Sequence, residues 1–211
     1  KPVQEDFDEM KEGTIHWGWP HCVQQRLITQ SAIDKKLTLI AWEAMHRWSA
    51  HGDWQMHIFH KNNEIAGYAG VLHALSLAGF TGAYGPSRKA IVLSFGSVSR
   101  GAIIALKGLG IYDITVFTQR YSTLVADQMA GVEYRHFEED EQGNILAFQE
   151  DGNTSYPFIE EVQNSDIIVN GILQDTDHPL MFVRADEVGQ LKSGSLIIDI
   201  SCDEGMGFAF A

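Results

Sequence analysis

The sequence predicts an α/β protein in which a doubly wound parallel sheet is joined to part of a second, smaller α/β unit. From residue 89 onward, apolar runs of strand length alternate with helical segments. Those runs, Ile91-Val-Leu, Ile114-Thr-Val-Phe, Ile167-Ile-Val and Leu196-Ile-Ile, are nearly continuous rather than alternating, as in strands covered on both faces. The first of them passes through Gly96 and Gly101 directly into an apolar helix, the strand-turn-helix unit of a parallel sheet.

In chain order, a short apolar segment over Thr14–Trp19 reads as a strand, and Thr29 as the cap of a helix over Gln30–Lys36. Leu37–Glu43 reads as a second strand, and residues 44–62, mixing Trp, His, Gly and charges without a period, as a connecting loop. Asn63 is placed to cap a long helix over Glu64–Leu77, whose Gly67 and Gly70 indicate close approach to another backbone, and a Gly/Pro cluster from Gly79 to Pro86 ends it. Then follow a strand over 89–95, a helix over 98–109, strands over 112–118 and 166–172, a helix near 184–191 and a strand over 195–201. Between them, Phe137–Gly152 carries two acidic blocks around a Gly-Asn turn and reads as a solvated β-hairpin insertion.

Composition removes several function classes. The 211 residues are 45% hydrophobic and carry a net charge of -13 with only 15 Lys+Arg, so a nucleic acid or an anionic membrane surface is not an expected partner. No apolar run approaches the roughly 20 residues that span a bilayer, and a soluble, cytoplasmic protein is expected. Cys22 and Cys202 are expected as reduced thiols, no metal-binding spacing is present, and His57 and His60 are assigned to a surface loop. A chain that opens at Lys1 and stops in an apolar stretch reads as an internal portion of a longer polypeptide.

The pattern Ser94-x-Gly96-x-x-Ser99-x-Gly101 sits where a strand meets a helix, so its backbone N–H groups are placed to receive a pyrophosphate. Ser94, Gly96, Ser97, Val98, Ser99 and Gly101 are therefore the expected dinucleotide contacts of a Rossmann-like domain. The alternative is an ordinary strand-to-helix turn with glycines for packing. Ser94 in place of the first glycine crowds the pyrophosphate, which a phosphate contact from Arg100 would offset. The second strand ends at Thr118-Gln119-Arg120 with no carboxylate for the ribose hydroxyls, which favours NADP, with NAD as the alternative; Thr118 and Arg120 are the expected 2′-phosphate ligands.

Five stretches extend the reading. Trp17-Gly-Trp-Pro-His-Cys-Val-Gln-Gln25, Lys36-Leu-Thr-Leu-Ile-Ala-Trp-Glu43, Asn63-Glu-Ile-Ala-Gly67, Val169-Asn-Gly-Ile-Leu173 and Ile197-Ile-Asp-Ile-Ser-Cys-Asp203 resemble, in order, successive motifs of the alanine dehydrogenase and pyridine-nucleotide transhydrogenase family. Within it the wording is most similar to the N5-(carboxyethyl)ornithine synthases, opine-type enzymes. The resemblance implies hydride transfer between a nicotinamide and a carbon bearing an amine, with residues 1–62 as part of a substrate domain. It makes residues 63–211 a dinucleotide-binding domain truncated at its C-terminal end. It carries the family's catalytic histidine onto His21 and its aspartate onto Asp203, places Lys1 near its carboxylate-binding lysine, and adds Gly171, Ile172 and Leu173 to the cofactor contacts.

Both catalytic candidates follow strands, at the end where sites in such sheets lie, and an imidazole has the near-neutral pKa that protonation of a carbonyl or carbinolamine oxygen needs. A histidine or aspartate after a strand is also an ordinary structural residue or helix cap. The implied substrates are a pyruvate-like 2-oxo acid and an amino acid, and the implied assembly is a homo-oligomer. Three other functions stay open: reductive amination with ammonia, a non-catalytic nucleotide-binding subunit of transhydrogenase type, and a scaffold that binds neither substrate nor cofactor. By the same alignment Cys22 and Cys202 lie near one cleft.

Overall fold

The structure is a computed structural model that describes residues 2–22, 25–149, 151–175, 177–201 and 205–210. The chain divides into two compact units, Lys1–His60 and Lys61–Ala211.

In the first unit, helices α1 (Gln4–Glu9) and α2 (Arg26–Asp34) accompany strands β1 (Ile15–Gly18) and β2 (Thr38–Ala41). The two strands pair in parallel, Ile15 opposite Thr38 and Gly18 opposite Ala41. Phe7 of α1 and Ile28 and Ala32 of α2 are buried. Thr29 lies inside α2 and is not its cap: its hydroxyl donates to the Cys22 and Gln25 carbonyls at 2.5 and 3.1 Å. The strand expected over Leu37–Glu43 stops at Ala41 and gives way to a single 3-10 turn over Trp42–Ala44.

Residues 44–62 are not a plain loop. They contain an antiparallel pair, β3 (His46–Trp48) and β4 (Trp54–His57), with His46 opposite His57. Their turn is closed by Ser49, whose Oγ accepts the Asp53 amide, and by Gly52 at φ +86°. These strands are too short and too exposed to show an alternating apolar pattern, so the sequence hides them.

The second unit opens with α3 (His60–Ala78). This helix starts before Asn63, which is therefore helical and not the cap. It continues through β5 (Lys89–Leu93), α4 (Ser97–Gly108), β6 (Asp113–Thr118), β7 (Glu133–Glu139), β8 (Ile145–Phe148), β9 (Ser155–Pro157), α5 (Ile159–Val162), β10 (Ile167–Asn170), β11 (Met181–Val183), β12 (Leu196–Asp199) and β13 (Gly207–Phe208). Seven strands form one sheet in the order β12-β10-β5-β6-β7-β8-β9, the first five parallel, with β8 and β9 added by antiparallel pairing. The order reverses between β5 and β10: the chain moves outward from β5 through β6 and β7, then returns to β5's other side.

Alternate residues of the central strands feed two cores. Ala90, Val92, Ile114, Val116, Ile167 and Val169 pack against Val71 and Leu75 of α3 and Ala102, Ile103 and Leu106 of α4. Ile91, Leu93, Phe117 and Ile168 face the other way, onto Phe158, Val162, Phe182 and Phe208. Both faces are covered, which explains the continuous apolar runs.

Two expectations are corrected here. The acidic segment does form the expected β-hairpin, β7 with β8, but it is not a solvated insertion, because β7 completes the parallel sheet and Phe137, Ile145 and Ala147 are core residues. Its turn is held by the Asp140 carboxylate, which accepts the Gln142 and Asn144 amides. The helix near 184–191 is only a 3-10 turn over Val188–Gln190, with Gly189, a poor helix former, at its centre. Among the described residues, no helix is long and apolar enough to cross a membrane and no group of three His, Cys, Asp or Glu is placed to hold a metal ion.

Candidate functional site

β5 ends at Leu93, beside the point where strand order reverses. Ser94 then takes φ +74°, the left-handed conformation that the first glycine of a dinucleotide loop supplies without strain; for serine it costs about 1 kcal/mol. The Ser94 amide donates to the Phe117 carbonyl at 2.7 Å, and its hydroxyl accepts the Gly96 N–H at 3.2 Å. Gly96 is the extended N-cap of α4, and no side chain caps the helix. The first-turn amides of Ser97 and Val98 thus stand at the positive end of a twelve-residue helix.

Ser99 is fully buried and its hydroxyl donates to the Leu93 carbonyl at 3.1 Å, tying the helix back to the strand it follows. A Cβ on Gly171 would stand 2.6 Å from that hydroxyl, so glycine lets the end of β10 close onto α4. Ser94, Gly96, Ser97, Val98, Ser99 and Gly171 are therefore together at the switch point. Gly101 faces away, towards α3: its Cβ would meet the Glu64 carbonyl oxygen at 1.8 Å. Across the same crossing, a Cβ on Gly67 would lie 1.9 Å from the Val98 carbonyl oxygen, whereas Gly70 meets only the Ile200 side chain.

At the end of β6, Thr118 is buried and pairs in register with His136. Its hydroxyl accepts the Arg120 amide at 3.3 Å, while Arg120 itself is exposed. The phosphate contact expected of Arg100 is corrected: its guanidinium lies 4.1 Å over the Phe95 ring and donates to the Asp127 and Ala126 carbonyls at 3.0 and 3.2 Å. Arg100 anchors the segment that follows Thr118, a function invisible in its sequence position.

Two residues missed by sequence reasoning organise the ends of β10 and β12. Asn170, fully buried, donates to Asp199 Oδ1 at 3.1 Å and accepts the Ile172 amide at 3.3 Å. Asp199 Oδ1 also accepts the Ser201 amide at 3.1 Å, and the Ser201 hydroxyl donates to the Ile172 carbonyl at 2.5 Å. A polar residue closing a wholly apolar strand was the available signal. Leu173 beyond them is 92% exposed. Asp203, Lys1 and Cys202 lie outside the described residues.

His21 belongs to the first unit. It follows β1 after Trp19 and the buried Pro20, at φ +51°, and its amide donates to Glu43 Oε1 at 2.7 Å. Glu43 thereby fixes a backbone conformation that costs a non-glycine residue about 1 kcal/mol or more. The Trp19 indole lies within 22° of parallel to the His21 ring at 6.1 Å, and packs also on Trp42, His57 and Phe59. Cys22 is a partly buried free thiol.

The family model "Alanine dehydrogenase/PNT, C-terminal domain" matches residues 75–210. Alanine dehydrogenase 2 of Staphylococcus aureus (strain USA300) is 24% identical over 218 aligned residues, covering 97% of this chain and 53% of that protein. The chain thus spans about half the length of the curated relatives it matches. Among solved structures, an L-alanine dehydrogenase superposes with TM-score 0.63 at 20% identity, over 96% of this chain and 54% of that one. A dipicolinate synthase chain from Bacillus halodurans gives TM-score 0.56 at 15% identity, over 99% and 57%. At these identities the superpositions speak for the fold.

Proposed function

The chain belongs to the alanine dehydrogenase/PNT family, and from that premise we propose that it is part of a nicotinamide-dependent oxidoreductase that forms CH–NH bonds by condensing a 2-oxo acid with the amine of an amino acid and reducing the imine. The observation that carries the reading is the Ser94–Ser99 turn. It puts the uncapped first turn of α4 at the reversal of strand order, with Ser94 in the glycine conformation and Gly171 closing the other side.

These residues suit a dinucleotide. The amides of Ser97 and Val98 would receive the pyrophosphate, and Gly96 leaves room for it, since a Cβ there would meet nothing nearer than the Ser94 hydroxyl at 3.6 Å. With no carboxylate at the end of β6, Thr118 and Arg120 favour NADP, and Ile172 and Leu173 would flank the nicotinamide end. When bound, the reduced nicotinamide supplies hydride to the imine carbon.

The rest is the protein's work. His21, protonated, gives its proton to the carbinolamine oxygen, water leaves, and an iminium carbon remains. With hydride so supplied the product would be the secondary amine, and His21 would regain a proton from solvent. By the family motif, Asp203 balances the iminium charge and Lys1 holds the substrate carboxylate. Residues 1–62 are then part of the substrate domain and 63–211 the dinucleotide-binding domain.

The names of the relatives favour a second reading, reductive amination with ammonia. Oxidation of NADPH and NADH by the full-length protein with pyruvate, against ammonia, ornithine, lysine and other amino acids, tests both. Turnover that requires an amino acid supports the condensation, turnover with ammonia supports the second reading, and binding without turnover replaces both with a nucleotide-binding role in a larger assembly. For the cofactor assignment, a higher kcat/KM with NADPH than NADH, lost in Arg120→Ala, is expected.

A further inference from the structure

We propose that Trp19 and His57 position His21, and that protonation of His57 releases that hold, so that the site carries its own acid-side switch. The inference rests on the reading of His21 as the acid–base residue and extends it to a pair of residues outside that role.

The geometry begins with the Trp19 indole. It is near-parallel to both imidazoles, at 6.1 Å and 22° from His21 and at 6.0 Å and 13° from His57. Trp42 meets it edge-on at 6.0 Å and Phe59 packs at 5.7 Å, so the indole is fixed from several directions. A ring so confined is a platform whose place depends on its neighbours staying where they are.

His57 is the neighbour that can change. Its Nδ1 accepts the Phe59 amide at 3.0 Å, which commits the neutral ring to carrying its proton on Nε2. His46, opposite it across the β3–β4 pair with ring centroids 5.1 Å apart, is committed the same way: its Nδ1 accepts the Trp54 indole N–H at 3.0 Å. A second proton on His57 would have to go to Nδ1. Donor would then face donor, the Phe59 bond would break, and a cation would stand beside His46.

The groups facing His57 are His46 from β3, the Trp42–Glu43 backbone after β2, His60 at the start of α3, whose Nδ1 lies 3.3 Å from the His57 carbonyl, and Trp19 with His21 beyond it. Burial, then His46, hold His57 below the usual imidazole range; the Glu43 and Trp42 backbone oppose them, and His60 adds to the lowering. The neutral ring is therefore the folded form. Stability is full above the ordinary imidazole value and falls as pH drops from there towards the lowered one. As the Phe59 bond and the stacked ring are lost, Trp19 loses one support and His21 its platform.

Nuclear magnetic resonance of the 15N-labelled full chain, followed through about pH 5 to 8, reads this without turnover. The His21 ring signal should carry, besides any titration of its own, an inflection in step with His57. In His57→Gln the side-chain oxygen still accepts the Phe59 amide but cannot charge, so that inflection should vanish in a folded chain. Trp19→Phe keeps a smaller platform and should shrink it. If His57→Gln fails to fold, Trp19→Phe carries the comparison. A His21 signal with no inflection in step with His57, or one unchanged in both variants, overturns the proposal.

Where the protein turns over, the acid limb of kcat should move to lower pH in His57→Gln. Superimposable profiles would also overturn it. Absence of turnover with any amine would defeat the oxidoreductase reading instead, and leaves the inflections of His21 to decide the coupling.

Discussion

Gly101 of α4 and Glu64 of α3 are in backbone contact: a Cβ on Gly101 would stand 1.8 Å from the Glu64 carbonyl oxygen. Gly67 and Val98 repeat the arrangement in the opposite sense. Two glycines thus set how close the helices come, and the same crossing places the first turn of α4 at the switch point. A residue that sequence reading assigned to the cofactor loop serves that loop from behind.

Gly101→Ala should therefore cost about 3 kcal/mol, the upper range of core overpacking, because the obstructing atom is backbone and cannot rotate away. Gly108→Ala, in the last turn of the same helix with nothing within 4 Å of its Cβ, should instead stabilise by about 0.5–1 kcal/mol. Urea unfolding midpoints of the two variants moving in opposite directions would bear this out; equal losses would refute it.

Ser94 separates stability from binding. Ser94→Gly removes the left-handed strain but also the hydroxyl that accepts the Gly96 amide, and it loosens the unfolded chain, so the net change should stay within about 1 kcal/mol. Its effect should appear in dinucleotide affinity, which rises as the Gly96 N–H becomes free for phosphate. Ser94→Ala keeps the strain and loses the bond, and should be about 1 kcal/mol less stable. Fluorescence titration with NADPH alongside thermal unfolding measures both quantities.

The parts of this chain that were legible follow from what local sequence encodes. β5, β6, β10 and β12 are apolar on both faces, and α4 begins at a glycine, so a reader of residues 89–118, 167–170 and 196–199 finds them without the structure. Asn63 misled because a residue that favours caps is also tolerated, at a small cost, one turn inside a helix that His60 already starts. His21 and Glu43 are 22 residues apart in sequence, joined by a contact that no periodicity announces. Arg100 illustrates the same limit: its charge suggested a phosphate, but Phe95 and two carbonyls some 26 residues away decide where it points.

Asp166 should govern part of the acid stability. At the foot of β10 its carboxylate accepts the Lys89 amide at 2.9 Å and Lys192 Nζ at 2.7 Å, with Arg88 at 3.5 Å. Burial works to raise its pKa, but Lys192, the Lys89 amide and Arg88 outweigh it and hold the carboxyl below the usual carboxylate range. The unfolded chain then takes up the proton first as pH falls. The stabilisation is present above the unfolded value near 4 and is lost as pH drops through the folded one. Asp166→Asn should cost about 1–3 kcal/mol near neutral pH, and the gap from the parent chain should narrow on acidification. A gap that widens in acid, by urea midpoints at several pH values, would contradict the sign.

Gly171 and Ser99 offer a test that the switch point closes as described. Gly171→Ala puts a methyl 2.6 Å from the Ser99 hydroxyl and 3.1 Å from Val98 Cγ1, and should destabilise by about 2 kcal/mol while weakening NADPH binding. Ser99→Ala alone removes the bond to the Leu93 carbonyl, worth about 1 kcal/mol or more because the site is buried. Combined, the two changes should cost less than their sum by at least about 0.5 kcal/mol, since the oxygen that obstructs the new methyl is then absent. Strict additivity would mean that the 171 backbone moves away from α4 rather than pressing on Ser99, and the first turn of α4 would then be placed by the α3 crossing and the Ser99 bond to Leu93, without Gly171.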